Sequence, residues 1–462
     1  MEFIVQLISR AYGLLWGDLI TLPLPGGGSI GLSLLVLLLI PTGIFFTIRT
    51  RFLPVRLFPE MLRLTVEKRG TNGSAISGLQ ALVISTATRV GMGNLIGVVA
   101  AISAGGAGAV FWMWLSALIG SSTAFVEATL AQLHKQPDPL YGGYRGGPAY
   151  YIHDFLAKGR RKSVIAVLFA ISGLICWCGI SQVISNSVSS AFYNAFSVPP
   201  LYTTVALVAV SAVIVLRKHA TVKVLDVLVP IMAGLYFLMT IFLIVKNAAL
   251  LPSVFSQIFE EAFGIRQAVA GGFGAVLMQG VKRGLFSNEA GSGSAPCAAA
   301  AADITHPAKA GLLQAFGVFL DTIVICSCTA MIMLLTPAET IAGLSGMDLL
   351  QTAMDYHLGS FGVVFIALIL LLFSFSTFIG VLFYARSNVA YLFGDNWASQ
   401  TAYKILALVM LFVGGLAAYT FVWDLGDVGI GLMTVFNIAV IIPMSREALA
   451  SLREYESARK KR

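Results

Sequence analysis

Charge is what this sequence most conspicuously lacks. Only 11% of its 462 residues are Asp, Glu, Lys or Arg, less than half the share of a soluble globular domain. With 57% hydrophobic residues and a mean hydropathy of +0.86, water is excluded as the main solvent and lipid takes its place. Cysteine is scarce as well: Cys176, Cys178, Cys297, Cys326 and Cys328 all lie in apolar or small-residue stretches. Residues two apart on a helix point to different faces. Neither Cys-x-Cys pair is therefore a metal clip, and no disulfide framework or transition-metal site is expected. Histidines 134, 153, 219, 306 and 357 are isolated from one another. No phosphate-cradling Gly-x-x-x-x-Gly-Lys-Ser/Thr loop occurs, which argues against a nucleotide-driven pump. No nucleophile–base set recurs at membrane depth, which argues against an enzyme. The net charge of +8 comes from short basic clusters between apolar runs. These read as cytoplasmic flanks of membrane helices rather than as a nucleic-acid surface.

What is present is a series of long apolar runs. Eleven candidate spans can be placed at 30–48, 77–104, 107–133, 163–188, 200–216, 223–246, 266–283, 309–335, 360–388, 400–421 and 427–444, each near the length that crosses a bilayer. Loops 49–70, 134–162 and 217–223 and the tail 446–462 hold most of the Lys and Arg. Loops 104–107, 189–199, 336–358 and 422–426 hold none, and 247–265 carries Glu260 and Glu261. This alternation predicts the N-terminus outside and a basic cytoplasmic C-terminal tail, in a plasma (inner) membrane protein. Residues 1–29, with the Pro23-Leu24-Pro25-Gly26-Gly27-Gly28 run, read as an extracytoplasmic, interfacial segment and not as a signal peptide.

Two spans depart from plain hydrophobic helices. The second contains Ser85-Thr86-Ala87-Thr88-Arg89-Val90-Gly91-Met92-Gly93-Asn94, and the seventh opens Ala270-Gly271-Gly272-Phe273-Gly274. Grouped glycines with Arg and Asn at membrane depth are costly unless the backbone breaks around a cavity. Two such breaks five spans apart are the pattern of inverted five-helix repeats, with a binding site where the broken helices meet. The first repeat is placed at about 77–216 and the second at about 223–421, inside a membrane domain at 30–445.

The residues Gly105-Gly106-Ala107-Gly108-Ala109-Val110-Phe111-Trp112-Met113-Trp114-Leu115-Ser116-Ala117-Leu118-Ile119-Gly120 resemble the signature of the alanine/glycine:cation symporter family. So do Thr88 to Asn94, Arg145-Gly146-Gly147-Pro148-Ala149-Tyr150-Tyr151-Ile152, and Gly280-Val281-Lys282-Arg283-Gly284-Leu285-Phe286-Ser287-Asn288-Glu289-Ala290-Gly291. The resemblance runs from about residue 30 to 445. It implies sodium-coupled uptake of alanine or glycine by an all-α membrane protein of leucine-transporter type with one extra N-terminal helix. Na+ is then the coupling ion, and no cofactor, nucleic acid or obligate protein partner is implied. The alternative is a proton-coupled or uncoupled carrier of another small amino acid. The sequence departs from the family at Met92, where a Thr or similar small residue is usual, and at Ser292, where Met is usual.

A zwitterionic substrate needs donors for its carboxylate and acceptors for its ammonium. The broken second span offers N–H groups at Gly91, Met92, Gly93 and Asn94, where the helix dipole favours an anion. The ammonium is expected at carbonyls near Gly271, Gly272 and Gly274, with Phe273 as the pocket floor. Gln182 and Asn186, four apart on one helix face, either line the pocket or bond between helices, and Gln279 is a further candidate. The fold resemblance implies a cation cage of the Ser376 and Thr377 hydroxyls and the carbonyls of Phe373, Ala87 and Val90. Arg89 either pairs with Glu127, balances charge near the cation path or gates the inner side, and Glu127 has a helix-end donor as its other option. Lys282, Arg283 and Glu289 are expected at the cytoplasmic mouth, with Ser287 to Pro296 as a gate element.

Overall fold

The computed structural model describes residues 2–23, 29–67, 77–157, 162–217, 221–264, 272–417 and 419–460. Capping side chains start some of its helices. The Ser33 hydroxyl accepts from the Val36 N–H at 3.2 Å and begins the first span, Leu34–Arg49. Ser77 and Gln80 form a reciprocal capping box at the start of the second, Gly78–Arg89, which satisfies two donors that a helix end leaves open. That span stops at Val90, resumes as a π-helical turn over Gly93–Gly97, and ends with Val98–Gly105. The third span, Gly108–Leu133, is capped from outside itself. The Glu261 carboxylate, on the short helix Leu251–Ala262, accepts from Ala107 N at 2.6 Å and Gly108 N at 3.3 Å.

The fourth to sixth spans are Val164–Phe196, Pro200–Val215 and Thr221–Lys246. The seventh, Gly272–Asn288, gives way to an irregular stretch and a short helix, Pro296–Ala301. The eighth starts at Pro307, passes through a second π-helical stretch, Phe319–Cys326, and ends at Leu334. The ninth is Ser360–Phe393 and the tenth Trp397–Gly414. The eleventh runs unbroken from Tyr419 to Lys460. At 1.5 Å per residue its 42 residues reach about 63 Å, twice a bilayer core.

Helices occupy each of the eleven predicted segments among the described residues. Seven are single helices long and apolar enough to cross a membrane alone. Several boundaries differ from expectation, among them the fourth helix, which runs to Phe196 and not 188. The tenth helix ends at Gly414, not 421, and the eleventh extends beyond 427–444 at both ends. Its C-terminal part is not a separate tail. Tyr455 bonds Glu60, and Arg56 pairs with Glu456 at 2.7 Å. The N-terminal segment is also more than an interfacial strip. A helix, Glu2–Trp16, leads into an antiparallel hairpin of Asp18–Pro23 with Ser29–Ser33. Trp16 is buried, and its indole N–H donates to the Asp427 carbonyl at 3.1 Å.

The scaffold around the two interrupted spans is tightly packed. A side chain at Gly429 would run into the backbone of Cys176, so only glycine lets the eleventh span lie on the fourth. Small residues of this kind are how membrane helices approach when hydrophobic burial cannot drive them together.

Candidate functional site

At the first break the backbone turns on itself. Gly91 N–H donates to Arg89 O at 2.8 Å and to the Asn94 side-chain oxygen at 2.9 Å, and Asn94 N–H donates to Gly91 O at 3.2 Å. Met92 N–H points across the molecule to the Thr377 hydroxyl at 3.4 Å. Every residue from Arg89 to Asn94 is buried. Asn94 was expected to offer its N–H to a carboxylate. Instead its N–H closes the turn, and its side chain holds the break together.

The seventh span meets this break through Phe286 and Ser287. A Cβ on Gly93 would lie 3.4 Å from Ser287 Cα and 3.5 Å from Phe286 O. The expectation for Gly272, Phe273 and Gly274 is therefore corrected. Fourteen residues separate Phe273 from Ser287 along one helix, a rise of about 21 Å. Phe273 packs edge-on against Trp112, with ring centroids 5.7 Å apart, and does not floor a pocket at Gly93. Gly271 lies outside the described residues. The interruption at membrane depth comes later, where Glu289, Gly291 and Gly293 take positive φ of 57°, 97° and 80°. Ala290 there faces Gly120, midway along the third span. Glycine clusters mark a break only where the chain is already deep. Gly272 to Gly274 belong to a helix that runs without a break to Asn288.

Gln182 and Asn186 follow the interhelical alternative. Gln182 Nε2 lies 3.1 Å from Met410 Sδ, and Asn186 Nδ2 donates to Gly414 O at 3.3 Å and Ala417 O at 2.9 Å. Both therefore tie the fourth span to the tenth. Gln279 packs against Gly105, at the far end of the second span from its break.

The oxygens of the expected cation cage do converge. Ser376 Oγ reaches Ala87 O at 3.2 Å and Phe373 O at 2.9 Å, and Thr377 Oγ1 reaches Ala87 O at 3.4 Å. Val90 is buried at the break three residues on. Thr377 thus touches both the cage and the amide of Met92.

The buried charges are arranged differently from expectation. Arg89 is 1% exposed and makes no ion pair with Glu127. Its Nη1 donates to the Gln314 carbonyl at 3.2 Å and side-chain oxygen at 3.1 Å, while Nε and Nη2 lack acceptors. Glu127 takes its other option, a helix-end donor. It accepts from Gly291 N–H at 3.1 Å, inside the second break, and from Asn437 Nδ2. Tyr384 donates to Glu289 at 3.3 Å. Lys282 and Arg283 are not in an open loop. They are buried within the seventh span, where Lys282 pairs with Asp427 at 2.6 Å and Arg283 at 3.3 Å. Tyr12 accepts from Lys282 Nζ at 2.5 Å, and the Arg283 guanidinium lies 4.2 Å from the Trp423 ring. Gly280, one turn earlier, abuts Ala109 and Trp112 at the start of the third span. This cluster is therefore at the end of the molecule that carries the N-terminal helix, away from the basic loops.

Sequence reasoning missed Asp321. It is fully buried on the eighth span and accepts from Asn94 Nδ2, Ser287 Oγ and Thr322 Oγ1, each at 2.7 Å. The signal was available. A lone carboxylate inside an apolar run of this length is a functional candidate by default. Among the described residues no three His, Cys, Asp or Glu side chains gather as a metal-ligand set.

This geometry can be set beside known proteins. The sodium:alanine symporter family profile matches residues 27–462. The chain is 43% identical over 431 residues to the probable sodium/glutamine symporter GlnT of Bacillus subtilis, covering 93% of this chain and 89% of that one. It is 33% identical to the sodium/alanine symporter AgcS of Methanococcus maripaludis, covering 92% and 95%. The fold is similar to that of a crystallised Eremococcus coleocola manganese transporter, with TM-score 0.52 and 15% identity over 83% of this chain and 81% of that one. With its two interrupted helices five spans apart, this is the leucine-transporter-type architecture. The chain belongs to the sodium:alanine symporter family and is a cation-coupled amino-acid symporter, not an enzyme.

Proposed function

We propose that the protein carries alanine or glycine into the cell together with sodium, by alternating access across the plasma membrane. The observation that carries this reading is the convergence of Ala87 O, Phe373 O, Ser376 Oγ and Thr377 Oγ1 beside the first break. Neutral hard oxygens suit a small hard cation. Thr377 also bonds Met92 N–H, so filling the cage changes the donor that faces a substrate. The substrate carboxylate sits at Met92 and Gly93, where the dipole of the half-helix running to Gly105 favours an anion. Gly93 leaves room for it against Ser287. The repeats span about 77–216 and 223–421, the N-terminus lies outside, and the last helix ends in the cytoplasm.

A second substrate is favoured by one observation: the relative at 43% identity is named a probable sodium/glutamine symporter. Uptake of labelled alanine, glycine and glutamine into proteoliposomes decides among them. Accumulation of alanine or glycine driven by an inward sodium gradient is expected. Accumulation of glutamine alone overturns the substrate, and accumulation driven only by a proton gradient overturns the ion.

A further inference from the structure

The fourth, fifth, sixth and ninth spans do not close completely on one another. Between them runs a groove of about 690 Å³, within the size range of pockets that hold one small ligand. Its base is a strip of the fifth span that includes Thr203, Ala206, Val210 and Ile214. Residues three and four apart share a helix face, so this spacing makes one continuous furrow. From Thr203 to Ile214 the helix rises about 17 Å. That is close to half the thickness of a hydrocarbon core about 30 Å deep, the depth of one leaflet.

The groove has two chemically distinct ends. Its lining is apolar except at Tyr202 and Thr203. These stand in the first turn of the fifth span, which begins at Pro200. Tyr202 is 67% exposed, and an exposed tyrosine at the start of a membrane helix belongs to the interface, where its phenol meets the polar region of the lipid. Thr203 is 8% exposed, and its Oγ1 has no partner among the described residues. The neighbouring Thr204 shows the usual solution, donating back to Pro200 O at 2.7 Å. A buried hydroxyl without a partner is costly, above all in lipid, where no water relieves it. Threonine in a helix has two χ1 rotamers open to it, so the Thr203 hydroxyl can swing to an acceptor in the groove.

We propose that this groove binds one diacyl phospholipid of the membrane. The glycerol ester lies at Tyr202 and Thr203, with an ester carbonyl accepting from the Thr203 hydroxyl, and the acyl chain runs along Ala206 and Val210 to Ile214. An ester supplies the acceptor that Thr203 lacks, at the depth where lipid esters lie. The chain supplies apolar contact for a furrow one leaflet deep. On the ninth span Phe375 lines the same groove, directly before Ser376. The lipid thus buttresses the helix that reaches the second span through Ser376 and Ala87.

Native mass spectrometry of the purified full-length protein, titrated with a diacyl phosphatidylglycerol and with its dialkyl ether analogue, tests this. One diacyl lipid is expected to be retained after the others have been stripped by detergent. Thr203→Val, near-isosteric without the hydroxyl, is expected to weaken its binding about threefold to tenfold, the worth of one hydrogen bond. The ether lipid, which has no ester carbonyl, is expected to bind the native chain that much more weakly and to be indifferent to Thr203→Val. Ala206→Phe fills the furrow and is expected to abolish the retained lipid. Val205→Phe, at a 50% exposed position outside the groove, is expected to change nothing. Added diacyl lipid is expected to raise the unfolding temperature of the native chain and not of Ala206→Phe, and unfolding without lipid checks that each variant folds. Retention of the lipid by Ala206→Phe places it elsewhere and overturns the site. Equal loss in Val205→Phe and Ala206→Phe reports general lipid contact and also overturns it. Ester and ether lipids bound equally, with Thr203→Val unchanged, overturn the role of Thr203 and with it the assigned orientation.

Discussion

The two interruptions of the membrane helices are built on opposite principles. The first, at Val90 to Met92, is held from a distance. Thr377 of the ninth span meets Met92 N–H, and Asn94 is steadied by Asp321 of the eighth. The second, at Glu289 to Ala295, is anchored in the protein by a network centred on Glu127, with Gly291 N–H and Asn437 as its donors. Ser292 and Ser294 bond within the loop, at 2.7 Å to Glu289 O and 3.2 Å to each other. One break has hydroxyls and amides that an ion or substrate can recruit. The other has most of its polar groups committed. On the proposed reading, reception of ligand belongs to the first, and a fixed abutment to the second.

Substitutions can break this contrast, and the largest effect is expected at the cation cage. Ser376→Ala with Thr377→Ala removes two of its oxygens and should lower sodium-driven uptake by about 100-fold or more, near 2.7 kcal/mol. Uptake unaffected by this double change removes the cage from the mechanism. Gly93→Leu comes next. Its Cβ already stands 3.4 Å from Ser287 Cα, so the longer side chain fills the break and uptake should fall to background while the protein still extracts as a monodisperse species. Gly93→Ala, which stops at the Cβ, should retain measurable transport.

Glu127→Ala probes the second break. It orphans the Gly291 N–H and the Asn437 amide, at a cost of about 1–3 kcal/mol. Thermal unfolding in detergent should register this loss more strongly than any change in sodium affinity. An effect confined to sodium affinity reverses the division of labour between the breaks. The smallest effect is expected from Phe273→Ala. It removes an edge-on contact with Trp112, worth about 0.5–1.5 kcal/mol, and should leave the KM for the substrate within about twofold of native, since helix rise places it about 21 Å from Ser287. A large rise in KM restores it to the pocket.

These cases mark what was legible beforehand. The meeting of Ser376 and Thr377 with Ala87 and Phe373 was foreseen through the fold resemblance. Arg89 and Glu127 were recognisable as costly residues at membrane depth, but not their partners. Arg89 turned to Gln314 and Glu127 to Gly291, a choice that depends on which helix faces are apposed. The glycines at 272–274 misled because composition records flexibility and not depth. Asp321 was passed over although the same rule that flagged Arg89 applies to it.

The sequence alone determined the membrane class, the run of apolar segments and the family. These follow from local properties, since a run of about 20 apolar residues answers to lipid whatever its neighbours do. Motif strings are local in the same sense. Tertiary structure decided the rest. Asn94 reaches Asp321 across 227 residues and Arg283 reaches Asp427 across 144. No periodicity in the chain encodes those meetings. They arise because a buried polar group in lipid must find a partner, and helix packing alone sets which partners are within reach.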